Sequence, residues 1–110
     1  TEQSIAEFTQ LYQQQTGHQP LWFGNSKKKI SKIAWCTGGA DSMFETALNL
    51  DVDLYLTGEV KEPIKHLAEE SDTIFVAGGH YVTERYGIKA LTKYIQQELL
   101  LDAEFIDIYN

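Results

Sequence analysis

His80 and Glu84 are the two residues of this sequence whose types and spacing best fit metal chemistry. A histidine and a carboxylate four positions apart lie on one face of a helix, with their Cβ atoms about 5–6 Å apart. A neutral imidazole beside a carboxylate is a ligand set that suits zinc, iron or manganese. A structural zinc site needs about four protein ligands and a catalytic one about three. The pair therefore predicts part of a metal site.

The surrounding sequence places this pair at the end of a strand. Residues 73–77 have the apolar character of a buried strand, and two glycines separate them from His80. In α/β proteins, functional side chains gather at the carboxyl ends of such strands. Glu59 follows the predicted strand 53–57 in the same way. We therefore predict that Glu59 is a catalytic pocket residue, acting as acid, base or hydrogen-bond partner of a metal ligand.

Hydrophobic periodicity and turn residues predict four helices that alternate with four strands. The predicted helices cover residues 2–14, 42–50, 63–70 and a long segment after residue 81, and the predicted strands cover residues 30–36, 53–57, 73–77 and 104–108. Ser4 is a possible cap of the first helix, and Ser42 with Glu45 fits a capping box for the second. This order predicts an α/β fold, a layered sheet with largely parallel strands and flanking helices.

The last predicted helix carries an apolar stripe at helical spacing, formed by Ile88, Leu91, Ile95 and Leu99.

Residues 37–42 (Thr-Gly-Gly-Ala-Asp-Ser) follow the first predicted strand and resemble the Ser-Gly-Gly-x-Asp-Ser loop of ATP pyrophosphatases. Glycines allow backbone amides to face a phosphate, and a helix start adds partial positive charge. A capped helix start explains Asp41 and Ser42 equally well. The loop therefore gives an alternative function, an ATP-binding pyrophosphatase-type domain.

Composition limits the classes of function. A chain of 110 residues fits one domain, and its net charge of −7 argues against sequence-independent binding to nucleic acid or to an anionic membrane. The single cysteine, Cys36, excludes an internal disulfide and fits the reducing cytoplasm. No apolar run approaches the roughly 18 residues that span a bilayer. We expect a cytoplasmic protein with no membrane partner.

Three segments occur together in the order and spacing of one known family. They are Ile-Ala-Trp-Cys-Thr-Gly-Gly at residues 33–39, Tyr-Leu-Thr-Gly-Glu-Val at 55–60 and Gly-His-Tyr-Val-Thr-Glu-Arg-Tyr-Gly at 79–87. In these segments the chain resembles the Nif-three-like family, whose members are often called GTP cyclohydrolase type 2 homologues. The resemblance extends from about residue 11 to residue 108.

The resemblance implies a dinuclear site, with two divalent metal ions per subunit held between two similar α/β halves. His80 and Glu84 match the metal ligands of the family's C-terminal half, whereas the family's His-His pair has no counterpart in this sequence. Residues 1–110 are therefore expected to be the C-terminal half of a longer protein. The resemblance also implies a homo-oligomer, such as a hexameric ring, and metal-dependent hydrolysis of a small nucleotide-like ligand.

A third hypothesis is a non-catalytic, oligomeric assembly or regulatory module. ATP binding that does not depend on His80 would favour the pyrophosphatase alternative. A stable oligomer without metal or turnover would favour the assembly module.

Overall fold

Three short parallel strands form the centre of the fold in the computed structural model, which describes residues 1–108. Strand β2 (Ile33–Trp35) pairs with β3 (Leu54–Thr57), and β3 pairs with β4 (Ile74–Ala77), all in parallel. Strand β1 (Leu21–Phe23) pairs antiparallel with β4, so the order across the sheet is β1-β4-β3-β2. The predicted α/β fold with a largely parallel sheet is confirmed.

Four α-helices flank this sheet: α1 (Ile5–Thr16), α2 (Phe44–Leu48), α3 (Glu62–Glu70) and α4 (His80–Glu98). The predicted cap of α1 is confirmed, because Ser4 Oγ accepts the N–H of Glu7 at 3.1 Å while the Glu7 carboxylate accepts the N–H of Ser4 at 3.3 Å. This reciprocal pair is a capping box, which satisfies two donors that the first helical turn leaves open.

Apolar side chains bury the sheet on both faces. Phe75 and Ala77 of β4 belong to a core cluster that includes residues of α2 and α3, and Ile74 and Val76 belong to a second cluster that includes Ile5 of α1. Burial on both faces is typical of a parallel sheet; here the crossover helices α2 and α3 cover one face and α1 covers the other. The sheet is therefore a rigid platform for the turns at its edge.

The predicted capping box at Ser42 and Glu45 is wrong. The chain forms a single 3-10 turn at Asp41–Met43 before α2, and no side chain caps either element. The N–H of Ala40 donates instead to Thr57 Oγ1 of the neighbouring strand at 3.1 Å. A hydroxyl distant in sequence therefore holds the turn before α2, and the helix itself begins without a side-chain cap.

Two strand predictions also differ from the structure. The strand predicted for residues 30–36 is shortened to β2, and Ile30 pairs only with Gln3 in an isolated bridge. Residues 104–108 have no strand partner within the described part of the chain, residues 1–108. They run back along α4, where the Nζ atom of Lys89 lies 5.2 Å from the ring centre of Phe105.

Helix α4 extends beyond the sheet. Val82 is its only buried residue, and the predicted apolar stripe is largely exposed, at 55% for Ile88, 53% for Leu91 and 53% for Leu99. The radius of gyration is 15.6 Å, whereas about 13 Å is typical of a compact chain of this length. About half of the surface of these three residues is therefore left uncovered by residues 1–108. No helix in those residues has the length and apolar character needed to cross a bilayer.

Candidate metal centre

The turns that follow β2, β3 and β4 stack on one another at the carboxyl edge of the sheet. The N–H of Gly58 donates to the carbonyl of Gly38 at 2.8 Å, and the N–H of Gly79 donates to the carbonyl of Gly58 at 3.0 Å. A Cβ atom on Gly58 would collide with the Gly38 carbonyl and would lie 2.6 Å from the Cα of His80. Only glycine at position 58 permits such a close contact between the backbones of the three turns. The contact places His80 directly beside the other two turns.

The structure brings together the three predicted site residues. His80 Nδ1 lies 2.7 Å from Glu59 Oε1, and His80 Nε2 lies 3.3 Å from Glu84 Oε1. His80 begins α4, so Glu84 lies one helical turn further along on the same face. About half of each of the three side chains is exposed. The imidazole is therefore held between two carboxylates at an accessible edge.

The electrostatics of this arrangement favour a charged imidazole in the absence of a metal. The hydrogen bond with Glu59 is the main cause that raises the pKa of His80 above its ordinary value, and the nearby charge of Glu84 adds to it. When Nδ1 carries the ring proton it donates to Glu59, which leaves the lone pair of Nε2 facing Glu84. A metal ion would compete with a proton for Nε2.

Two glycines leave open space in front of the carboxylates. A Cβ on Gly38 would lie 2.5 Å from Glu84 Oε1 and 3.3 Å from His80 Nε2, and a Cβ on Gly39 would lie 2.9 Å from Glu59 Oε2. Gly38 also has a φ of 76°, in the left-handed region that favours glycine. The glycines after β2 therefore form a wall of the site as well as a turn.

Two amides of the loop at residues 37–42 are already bonded to side chains of the fold and are not open to a phosphate. The N–H of Gly38 donates to Thr83 Oγ1 at 3.0 Å, and the N–H of Ala40 donates to Thr57 Oγ1 at 3.1 Å. Helix α2 has only five residues, so its dipole is small. The structure does not favour the pyrophosphatase alternative.

The pair fits two neighbouring positions around one metal ion. Ligand atoms bound to a tetrahedral zinc lie about 3.4 Å apart, and His80 Nε2 and Glu84 Oε1 are 3.3 Å apart. Glu59 Oε1 contacts Nδ1 and thus lies behind the imidazole, on the side away from Nε2. Within residues 1–108, no three His, Cys, Asp or Glu side chains form a group that could hold a metal ion. The residues present fit a part of a site, with Glu59 in a supporting position.

Sequence reasoning missed Thr57 and Thr83, whose hydroxyls bind the amides of the first turn. The sequence did contain a signal for these two threonines, since Thr57 directly precedes Gly58 and Thr83 directly precedes Glu84 within the segments that carry the resemblance.

His66 lies exposed on α3, away from the three turns in sequence. Cys36 packs against the core cluster that contains Phe44, as expected of an apolar strand residue.

Comparison with known proteins identifies the family. Residues 1–110 match the family described as Duf34/NIF3 (NGG1p interacting factor 3). A GTP cyclohydrolase 1 type 2 homolog from Neisseria meningitidis serogroup B is 50% identical over 74 residues, which are 67% of this chain and 30% of that protein. A protein of the same name from Pseudomonas aeruginosa is 41% identical over 105 residues, which are 96% of this chain and 41% of that protein.

A solved structure agrees with the sequence relatives. The protein ybgI, of unknown function, matches all of this chain with a TM-score of 0.94 and 38% identity, and this chain covers 45% of it. The chain thus spans 30% and 41% of the length of the two curated relatives. The resemblance drawn from the three sequence segments is confirmed, and the chain belongs to the Duf34/NIF3 family.

Proposed function

We propose that His80 and Glu84 are two ligands of a divalent metal site, and that the protein is a metal-dependent hydrolase of a nucleotide-like substrate. One observation carries the proposal: a single imidazole is bonded to Glu59 on one nitrogen and faces Glu84 at ligand spacing with the other. The curated relatives named GTP cyclohydrolase 1 type 2 homolog support the reaction class by their name alone.

Each of the three side chains has a distinct role in this proposal. His80 offers Nε2 and Glu84 offers Oε1 to the ion, and Glu59 fixes the imidazole by accepting from Nδ1. A carboxylate behind a ligating histidine sets the ring orientation and increases its basicity. A bound divalent ion supplies a Lewis acid and lowers the pKa of bound water. The second oxygen of Glu59 faces Gly39, at the open side of the site, where it is a candidate proton acceptor.

The donor set narrows the choice of metal. Imidazole and carboxylate together suit zinc, iron or manganese better than calcium or magnesium, which prefer oxygen ligands alone. Since two ligands leave most coordination positions to water, we propose that further ligands come from outside the described residues. The two ions per subunit implied by the family resemblance belong to that complete site.

Metal titration of the chain tests this assignment. We expect weak binding of zinc or manganese by calorimetry, and still weaker binding in His80→Ala and in Glu84→Ala. His66→Ala is the matched control, because it removes an exposed histidine from α3 and should leave binding unchanged. Circular dichroism checks that each variant is folded. Unchanged binding in both site variants would contradict the ligand assignment, and tight stoichiometric binding by the monomer would show that a ligand has been missed.

The exposed stripe of α4 supports a second proposal, self-association into a homo-oligomer. Ile88, Leu91 and Leu99 each leave more than half of the side chain in water, and exposed apolar patches mark interaction sites. A ring-shaped assembly, with or without catalysis, would cover them. Light scattering tests this: the chain should associate, and Leu91→Glu should shift it towards the monomer. A monomeric wild-type chain at high concentration would contradict the proposal.

A further inference from the structure

A cavity of about 290 Å³ lies beside the metal pair, the name used here for the two proposed ligands His80 and Glu84. We propose that this cavity binds a planar heteroaromatic ring of nucleobase size. The proposal rests on the proposed function in one respect, since it assigns the ring to the nucleotide-like substrate. The lining residues that the proposal depends on are Tyr12, Trp35, Thr37, Thr83, Tyr86 and Gly87.

The cavity offers ring surface rather than charge. The hydroxyl of Tyr12 donates to the carbonyl of Gly78 at 2.8 Å, and the hydroxyl of Tyr86 contacts the carbonyl of Gln15 at 3.4 Å. These bonds tie both phenols to the backbone, and burial raises the pKa of Tyr12 to about 12, so that ring stays neutral. Among the described residues, none that lines the cavity is Asp, Glu, Lys, Arg or His. Such walls suit an uncharged flat ring and do not suit a phosphate.

Gly87 gives the second, independent indication that the space is meant to be open. It lies inside the 19-residue helix α4, where glycine stabilises a helix less than alanine does. Its φ is not positive, and a Cβ at this position would meet no atom within 4 Å. Neither backbone conformation nor packing within the described residues therefore requires glycine. Because Gly87 lines the cavity, a side chain at this position would occupy part of it.

The cavity adjoins the metal pair through Thr83. Its Oγ1 accepts the N–H of Gly38 at 3.0 Å, and Gly38 faces both Glu84 Oε1 and His80 Nε2. Residues 80, 83, 84 and 87 also follow one face of α4, at i, i+3, i+4 and i+7. The metal pair and two of the residues that line the cavity thus lie along the same face of α4. A ligand with a ring at one end and a reacting polar group at the other can reach both.

Stacking on the aromatic walls is the expected source of affinity. A base stacked on an aromatic side chain gains about 1–3 kcal/mol, which corresponds to about a 5- to 150-fold change in affinity. Trp35 is 67% exposed on the edge strand β2, so its indole is accessible to such a partner. The same exposure makes it a fluorescent reporter once Trp22→Phe has removed the other tryptophan.

The test titrates the Trp22→Phe chain with GMP in the presence of a chelator and follows the fluorescence of Trp35. We expect saturable quenching by GMP and none by ribose 5-phosphate, which carries the phosphate without the ring. Gly87→Leu, which fills the cavity, should weaken GMP binding at least about 10-fold. Ala90→Leu is the matched control, because it adds the same side chain at an exposed position of α4 outside the cavity. Circular dichroism confirms the helix in both variants, and Gly87→Ala replaces Gly87→Leu if that variant does not fold.

The failure of this inference can be told apart from the failure of the proposed function. His80→Ala should retain GMP quenching, because the ring site does not use the metal ligands. Absence of quenching by GMP, or equal affinity in Gly87→Leu and Ala90→Leu, would overturn the ring site and leave the metal assignment intact. A Trp35 signal that changes with protein concentration but not with GMP would also overturn it, and would assign the cavity to contact between copies of the chain.

Discussion

Gly38 and Glu84 are separated by 46 positions in the sequence, yet a single methyl group on Gly38 would lie 2.5 Å from Glu84 Oε1. Because this atom is the end of a flexible side chain, Glu84 can rotate away and relieve the contact. A larger residue at position 38 would therefore displace the carboxylate of Glu84, the proposed metal ligand. The glycine turn after β2 and the first turns of α4 are thus parts of one site.

A pair of glycine variants separates backbone strain from this effect. Gly38 and Gly17 have φ values of 76° and 75°, but a Cβ on Gly17 would meet no atom within 4 Å. Gly38→Ala and Gly17→Ala should each lower the free energy of unfolding by about 1–2 kcal/mol, the cost of a left-handed alanine. Only Gly38→Ala should also weaken metal binding. Urea denaturation and calorimetry measure the two quantities, and equal metal affinity in both variants would show that Gly38 is an ordinary turn residue.

The role of Glu59 predicts a graded response to substitution. Glu59→Ala removes the acceptor behind His80 and should weaken metal binding about 10- to 100-fold, as loss of such a partner does in other metal sites. Glu59→Gln keeps a carbonyl oxygen that accepts from Nδ1, so it should weaken binding less. Nitrogen chemical shifts of the His80 ring provide an independent readout of its tautomer. The same loss in both variants, with an unchanged His80 signal, would contradict the positioning role.

Asp53 links β3 to the segment before β2 and makes the stability of the fold depend on pH. Its Oδ2 accepts the N–H of Ser31 at 2.9 Å and the N–H of Lys32 at 3.0 Å, and the bond from Ser31 is the main cause that lowers the pKa of Asp53. A lowered pKa in the folded state stabilises the fold above the unfolded value of 3.8, and this stability is lost as the pH falls through the folded pKa.

Asp53→Asn should therefore be less stable than the wild type at neutral pH, by about 1 kcal/mol, because bonds to a charged acceptor become bonds to a neutral one. The difference between the two proteins should shrink as the pH falls below 3.8. Urea denaturation of both proteins from pH 7 down to pH 2 measures this difference. A constant difference across that range would mean that the Asp53 charge does not contribute.

The sequence predicted the parts of the fold that depend on local pattern. Strands β3 and β4 are near-continuous apolar runs that are followed by glycines, and a serine with a glutamate three residues later caps α1. Strand β1 has only three residues, and its pairing with β4 involves residues more than fifty positions away. Nothing in its own sequence distinguishes it from a loop. The local pattern at Ser42 was misleading for a related reason, since a bond from the Ala40 N–H to the distant Thr57 hydroxyl fixes the turn before α2, and no side chain caps the helix.

For the candidate site, the sequence predicted which side chains meet but not how they meet. The i, i+4 spacing of His80 and Glu84 and the common edge of parallel strands brought all three residues together. The position of Glu59 behind the imidazole depends on the stacking of Gly38, Gly58 and Gly79, which is a contact between three separate turns. The cavity depends on a helix-interior glycine whose meaning appears only once the neighbouring walls are in place.

The most direct measurement of the central claim is a double-mutant cycle on zinc affinity, with His80→Ala, Glu84→Ala and the double variant compared by calorimetry. If both side chains bind one ion, the double variant should lose no more affinity than either single variant, because each substitution already breaks the shared site. Circular dichroism verifies the fold of all four proteins. Losses that add in the double variant, or single variants that bind zinc as the wild type does, would contradict a shared metal ion.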